Sequence, residues 1–90
     1  MRIAWRAGAA RQLREQLEFV RARNPRAADR LERRIEACVA QLMLFPLIGS
    51  ASRAPGVREL VITRTPFIAV YQVAGDKVVI LRFFHGRQQR

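Results

Sequence analysis

Arg21-Ala22-Arg23-Asn24-Pro25-Arg26-Ala27-Ala28 decides how this chain folds. Asn is a preferred residue just before a helix, and Pro is preferred at the first helical position, where its missing N–H costs nothing. The pair therefore ends one helix and starts another, and so short a connection makes an antiparallel helix hairpin. Upstream of it, from about Gly8 to Arg23, Ala10, Leu13, Leu17 and Val20 recur at helical spacing on one stripe. Phe19 falls off that stripe, roughly 100° or more around the helix at 100° per residue. It either packs on a neighbouring loop or faces a partner. Downstream, Ala28, Leu31, Ile35, Val39 and Leu42 mark a second buried face between Pro25 and about Leu44. Cys38 sits beside that face as a small core thiol.

Outside the hairpin the period changes. Arg2–Arg6 alternates polar with apolar, placing Ile3 and Trp5 on one side of a short strand. Pro46 and Gly49 break the helical pattern, and Gly49–Gly56 reads as a loop. Val57–Thr65 is rich in β-branched residues and predicts a strand with Arg58, Leu60, Ile62 and Arg64 facing one way. Pro66 separates it from Phe67–Val73, and Gly75-Asp76 turns that strand into Lys77–Phe84 as a hairpin. The expected fold class is α+β, a single domain over residues 1–90 in the order β-α-α-β-β-β. The helix hairpin packs on one face of a small twisted, mainly antiparallel sheet.

Composition narrows the functional classes. The 90 residues are 50% hydrophobic and 27% charged, which is globular and argues against disorder. They are too few for two independent cores. Seventeen basic residues oppose seven acidic ones for a formal net charge of +10, and Lys77 is the only lysine among sixteen arginines. Such a surface calls for an acidic partner: nucleic acid, an acidic protein or an anionic membrane. Cys38 and His85 are each the only residue of their type. An intramolecular disulfide, a cysteine cluster and a multi-histidine metal site are thereby excluded, so no metal and no cofactor are expected. A lone cysteine also suits a reducing cytoplasm. No apolar run approaches the roughly 18 to 20 residues that cross a bilayer, so no membrane role is expected. The arginines near the N-terminus accompany Ile3 and Trp5, which read as structural, so no targeting segment is expected.

Basic and aromatic residues concentrate in two places. One holds Arg53, Arg58 and Arg64 with Glu59 among them; the other is Arg82-Phe83-Phe84-His85-Gly86-Arg87-Gln88-Gln89-Arg90. A meander would bring both onto one sheet face or edge, opposite the helices, as a positive concavity for a phosphate backbone or an acidic peptide. Acid–base work by His85 would need a neighbour that tunes it and a substrate within reach. The sequence supplies neither.

Taken in order, these segments resemble the RelE/ParE superfamily of bacterial type II toxin–antitoxin toxins, and the ParE branch most closely. The resemblance is carried by Trp5, by Asn24-Pro25 with Ala28, and by Leu42, Phe45-Pro46 and Gly49. It continues through Gly56-Val57-Arg58-Glu59-Leu60, Thr65-Pro66-Phe67-Ile68-Ala69-Val70-Tyr71 and Val79-Ile80-Leu81-Arg82-Phe83-Phe84-His85-Gly86. It implies a bacterial cytoplasmic toxin neutralised by a cognate antitoxin, encoded next to it, which also carries any contact with operator DNA. ParE-like members are associated with poisoning DNA gyrase and have no recognised catalytic set. RelE-like members enter the ribosome and cleave mRNA, using basic residues and a His or Tyr near the C-terminus.

Departures from the nuclease pattern favour the first of these. Ile68 and Ala69 stand where nuclease members tend to place a basic residue before Val-Tyr, and Gly86 follows His85 where some carry the Tyr. No lysine precedes Lys77. A gyrase-inhibiting, non-catalytic toxin is therefore expected. The alternatives are a ribosome-dependent mRNA endoribonuclease and a non-toxic, degenerate binding module. Target-binding candidates are Arg58, Arg64, Arg82, His85 and Arg87. A nuclease would draw on Arg58, Glu59, Arg64, Arg82 and His85. Antitoxin-binding candidates are Phe19, Met43, Phe45 and Phe67, with nearby arginines pairing antitoxin carboxylates.

Overall fold

Asn24 does the work its position predicted. Its N–H donates to the Val20 carbonyl at 2.8 Å, closing one helix, and its Oδ1 accepts from the Ala27 N–H at 3.1 Å, opening the next. A computed structural model describes residues 1–87. In it the helices are α1 (Ala7–Arg23) and α2 (Pro25–Ala40), with Pro25 at the start of α2. Arg21 reaches across the hairpin to Asp29 and Glu32, both at 3.3 Å. All three groups are well exposed, so these pairs add little stability. Packing holds the hairpin: Ala9, Leu17, Ala28, Ile35 and Val39 are buried at its inner side.

The strands are β1 (Arg2–Trp5), β2 (Ser50–Ala51), β3 (Val57–Val61), β4 (Phe67–Ala74) and β5 (Lys77–His85). They form one sheet in the order β1-β5-β4-β3-β2, with β1 parallel to β5 and the other pairs antiparallel. The helix hairpin crosses over from β1 and covers one face. That face presents Leu60, Ile62, Phe67, Ala69, Tyr71, Val78, Ile80 and Phe83, all buried. Phe67 and Phe83 stack with ring centroids 5.3 Å apart, and Trp5 closes on Phe83 at 6.2 Å.

Three expectations are corrected. The stretch Gly49–Gly56 is not wholly loop, since Ser50 and Ala51 pair with Glu59 and Arg58 as β2. The second helix stops at Ala40 and continues as a 3₁₀ turn, Gln41–Met43, which still buries Leu42. The strand from Val57 stops at Val61, because Ile62–Phe67 is a tight connection in which Arg64 takes a φ of 63°. A left-handed arginine cannot continue a strand, so Arg64 leaves the row formed by Arg58, Leu60 and Ile62.

The phase of β5 changes at a bulge. Val70 pairs with Arg82 and Tyr71 with Ile80, which leaves Leu81 as the extra residue. One inserted residue lets Ile80 and Phe83, three apart, both face the core. Gln12 of α1 accepts the Phe83 backbone N–H at 2.9 Å, joining the helix to the bulged strand.

Candidate functional site

Paired residues on neighbouring strands share a sheet face, so the register places every candidate. Arg58 pairs with Tyr71 and therefore belongs to the helix side. Its guanidinium donates to the Gly49 carbonyl at 2.8 Å and the Leu47 carbonyl at 3.3 Å. Glu59, the next residue, lies on the open side opposite Val70. Arg82 also lies on the open side, its guanidinium 4.8 Å from the centre of the Phe84 ring. His85 pairs with Phe67 on the helix side and meets that ring edge-on at 5.5 Å. Its Nδ1 accepts the Arg87 N–H at 3.1 Å. Arg64 stands in the β3–β4 connection, and Arg87 is exposed beyond β5.

The expected single positive concavity is thus not formed. Alternation separates Arg58 from Glu59 and Arg82 from His85, and the bulge before Arg82 sets which face each of the latter two takes. Glu59 and Arg82 share a face but have the whole of β4 between them, about 10 Å at the usual strand spacing. Arg90, counted with the C-terminal arginines, lies outside the described residues. The open face is instead largely apolar, carrying Ile68, Val70, Val79 and Phe84 in register.

Two of the concave regions formed by the described residues lie on the helix side near the candidates. A groove of about 590 Å³ runs between β1 and α2, floored by Ile3, Trp5, Leu13, Ile35 and Val39, with Met43 at its rim. A second cleft, about 500 Å³, holds Phe19, Val20, Phe67 and His85. Of the four apolar candidates, Phe19, Met43 and Phe45 are exposed. Phe19 carries Arg23 across its ring at 3.8 Å. Phe67 belongs to the core, and only its edge reaches the second cleft.

Sequence reasoning passed over the loop that follows α2. Leu44, Leu47 and Ile48 are exposed beside Met43 and Phe45, yet the backbone beneath them is tied down. The buried Tyr71 hydroxyl accepts from the Gly49 N–H at 2.9 Å and donates to the Pro46 carbonyl at 2.8 Å. Arg58 holds the same segment. The signal was present in Met43-Leu44-Phe45-Pro46-Leu47-Ile48, an apolar run without helical or strand period. An exposed cluster of this kind marks an interaction surface.

The model of a known family, the ParE toxin of the type II toxin–antitoxin system parDE, matches residues 3–90. The chain belongs to that family. It is 36% identical over 88 residues to the protein named "Putative toxin Y4kP" of Sinorhizobium fredii, covering 98% of this chain and 91% of the relative. Its structure is similar to one described as the chromosomal ParDE system of P. aeruginosa, with a TM-score of 0.75 and 28% identity, over 94% of this chain and 95% of the other. The RelBE2 toxin–antitoxin complex of Mycobacterium tuberculosis shares the fold, with a TM-score of 0.63 and 22% identity, over 93% and 95% of the two chains.

The chain is accordingly a ParE/RelE-family toxin of a type II toxin–antitoxin system. In this ParE-family toxin no three His, Cys, Asp or Glu side chains gather at metal-binding distance among the described residues. No helix among them is long and apolar enough to cross a membrane. Cys38 is buried, its sulfur 3.6 Å from the Thr63 hydroxyl.

Proposed function

We propose that this toxin acts in the bacterial cytoplasm by binding DNA gyrase without catalysing a reaction, and that a cognate antitoxin neutralises it. The observation that carries the non-catalytic part is the scatter of the candidate groups. Cleaving RNA through its own 2′-hydroxyl needs a base, an acid and cationic stabilisation of the phosphorus within one site. Arg58 is spent on two loop carbonyls, His85 leans on Phe67, and Glu59 and Arg82 stand a strand apart. The apolar open sheet, with Arg82 lying on Phe84, suits a protein partner better than a phosphate backbone. Gyrase as that partner rests on the ParE resemblance. The antitoxin reading is supported by the parDE family match and by structural neighbours that are toxin–antitoxin systems.

The test adds purified toxin to a gyrase supercoiling assay and, in parallel, to a translating extract. Supercoiling should stop and DNA breaks should be stabilised, while transcripts stay intact. Co-purified antitoxin should restore supercoiling. Transcript cleavage with untouched gyrase would establish the endoribonuclease reading in its place. Unimpaired growth of cells making the toxin alone would favour the degenerate binding module.

A further inference from the structure

α2 sorts its charges by side. At about 100° per residue, Arg26, Arg30, Arg33 and Arg34 fall within an arc of about 100°, and Asp29, Glu32 and Glu36 within another of about 60°. Arg21 of α1 engages Asp29 and Glu32, and Glu32 and Glu36 line the groove beside β1. The arginine side turns instead towards the β3–β4 connection. There Arg30 and Arg34 line a shallow cleft of about 190 Å³ with Ala27, Leu31 and Thr65, and Arg34 reaches the Thr63 carbonyl at 3.5 Å. Arg64, exposed, directly precedes Thr65 in that connection.

Stability does not account for this row of arginines. Arg26 with Arg30, and Arg30 with Arg34, are like charges at i,i+4, an arrangement that weakens a helix. The first turn of α2 holds Arg26 and no acid, against the preference of the helix dipole. Arg64 takes a φ of 63°, where glycine or asparagine would sit with less strain. Among the described residues, none of these five guanidiniums pairs with an acid. Strain at the backbone and repulsion between like charges, kept together in one place, point to a ligand that brings negative charge.

We propose that Arg26, Arg30, Arg33, Arg34 and Arg64 grip the sugar-phosphate backbone of a nucleic-acid duplex. Arg26 to Arg34 spans about 12 Å of helix, against about 3.4 Å of axial rise per phosphate along one strand, so separate guanidiniums meet separate phosphates. Each fork can hold two oxygens of one phosphate. A protein partner would call for an apolar or aromatic centre. The cleft offers only Ala27 and Leu31, and none of the large exposed apolar residues lines it. Single strands are held by stacking their bases on aromatic rings, and no ring lines the cleft. Backbone contacts carry no sequence information, so this contact is distinct from operator recognition. It does not depend on gyrase being the target.

The experiment follows, by fluorescence anisotropy, the binding of the full toxin to labelled DNA and RNA duplexes of mixed sequence between about 50 and 200 mM salt. For DNA, log affinity should fall against log salt with a slope of about −4, at about 0.9 per phosphate met. Arg30→Gln with Arg34→Gln should reduce that slope by about two, and Arg64→Gly, which suits the left-handed backbone, by about one. Arg11→Gln with Arg14→Gln, the same charge change on α1, should alter it by less than about 0.5. Circular dichroism verifies that each variant is folded. The duplex bound more tightly, DNA or RNA, names the source of the phosphates. Equal loss of slope in the two double variants overturns the proposal, because binding would then follow net charge alone. Absence of duplex binding at about 50 mM salt, or tighter binding of a single strand of the same length, also overturns it. A poly-glutamate peptide that binds through these arginines when no duplex does would assign them to an acidic protein instead.

Discussion

The Tyr71 hydroxyl donates to the Pro46 carbonyl at 2.8 Å, fastening the apolar loop after α2 to the middle of the sheet. The same oxygen accepts the Gly49 N–H at 2.9 Å, and Tyr71 itself is fully buried. The loop thus exposes apolar side chains on a backbone that cannot drift, which lowers the entropy a partner must overcome in ordering it.

Tyr71→Phe leaves the Gly49 N–H and the Pro46 carbonyl without their partner at little change in shape. The cost should be about 1–3 kcal/mol, the usual penalty for orphaned buried polar groups. Gly49→Ala should be destabilising for a different reason. Its added Cβ would lie 2.7 Å from the Tyr71 ring and hydroxyl and 2.8 Å from the Glu59 carbonyl. Urea denaturation of both single variants and the double variant checks this, and the effects should be non-additive because the sites touch.

Asn24→Ala removes the side-chain cap of α2 while leaving Pro25 in place. A loss of about 1 kcal/mol is expected. In a domain of this size that corresponds to a fall in melting temperature of roughly 4–8 °C. Thermal unfolding followed by circular dichroism would measure it, and an unchanged midpoint would mean that Pro25 and packing alone set the helix start.

Arg82 and His85 face opposite sides of the sheet, so their variants should separate. Arg82→Glu, on the open face, should weaken gyrase inhibition at least about tenfold. His85→Ala should alter it less than threefold, since its ring rests against Phe67. Neither should affect transcripts in a translating extract. Equal, parallel losses in supercoiling inhibition and in transcript cleavage would instead point to one shared catalytic site.

The excess of positive charge should make association with an acidic antitoxin depend on salt. Raising ionic strength from about 50 mM to 500 mM shortens the Debye length to a few ångströms. The association rate should fall at least about tenfold across that range, with a smaller change in dissociation. Stopped-flow mixing gives both rates. A flat association rate would mean that the apolar groove and loop alone guide the encounter.

Much of the architecture was legible in local chemistry. Asn24-Pro25 marks the hairpin because a cap and a missing N–H act on the residues beside them. The apolar stripes of the helices and the Gly75-Asp76 turn are equally local. Less legible were features with long-range causes. β2 exists because β3 offers an edge to Ser50 and Ala51, and the early end of β3 follows from the left-handed turn at Arg64. The site was the least legible part. Arg58 read as a free cation, but its guanidinium is held by loop carbonyls nine and eleven residues earlier in the chain. Phe67 read as a partner contact, but it stacks on Phe83 in the core.

By itself the sequence determined the helix hairpin, the strand-forming segments, the net charge and the family resemblance, because each depends on residue identity over short spans. Tertiary structure alone decided which face each side chain occupies. One unpaired residue, Leu81, sets which side of the sheet Arg82 and His85 each take, and the parallel pairing of β1 with β5 leaves the far edge of β1 open. Strand register is fixed by burying one face against the helices, a property of the whole fold, and the positions of the charges follow from it.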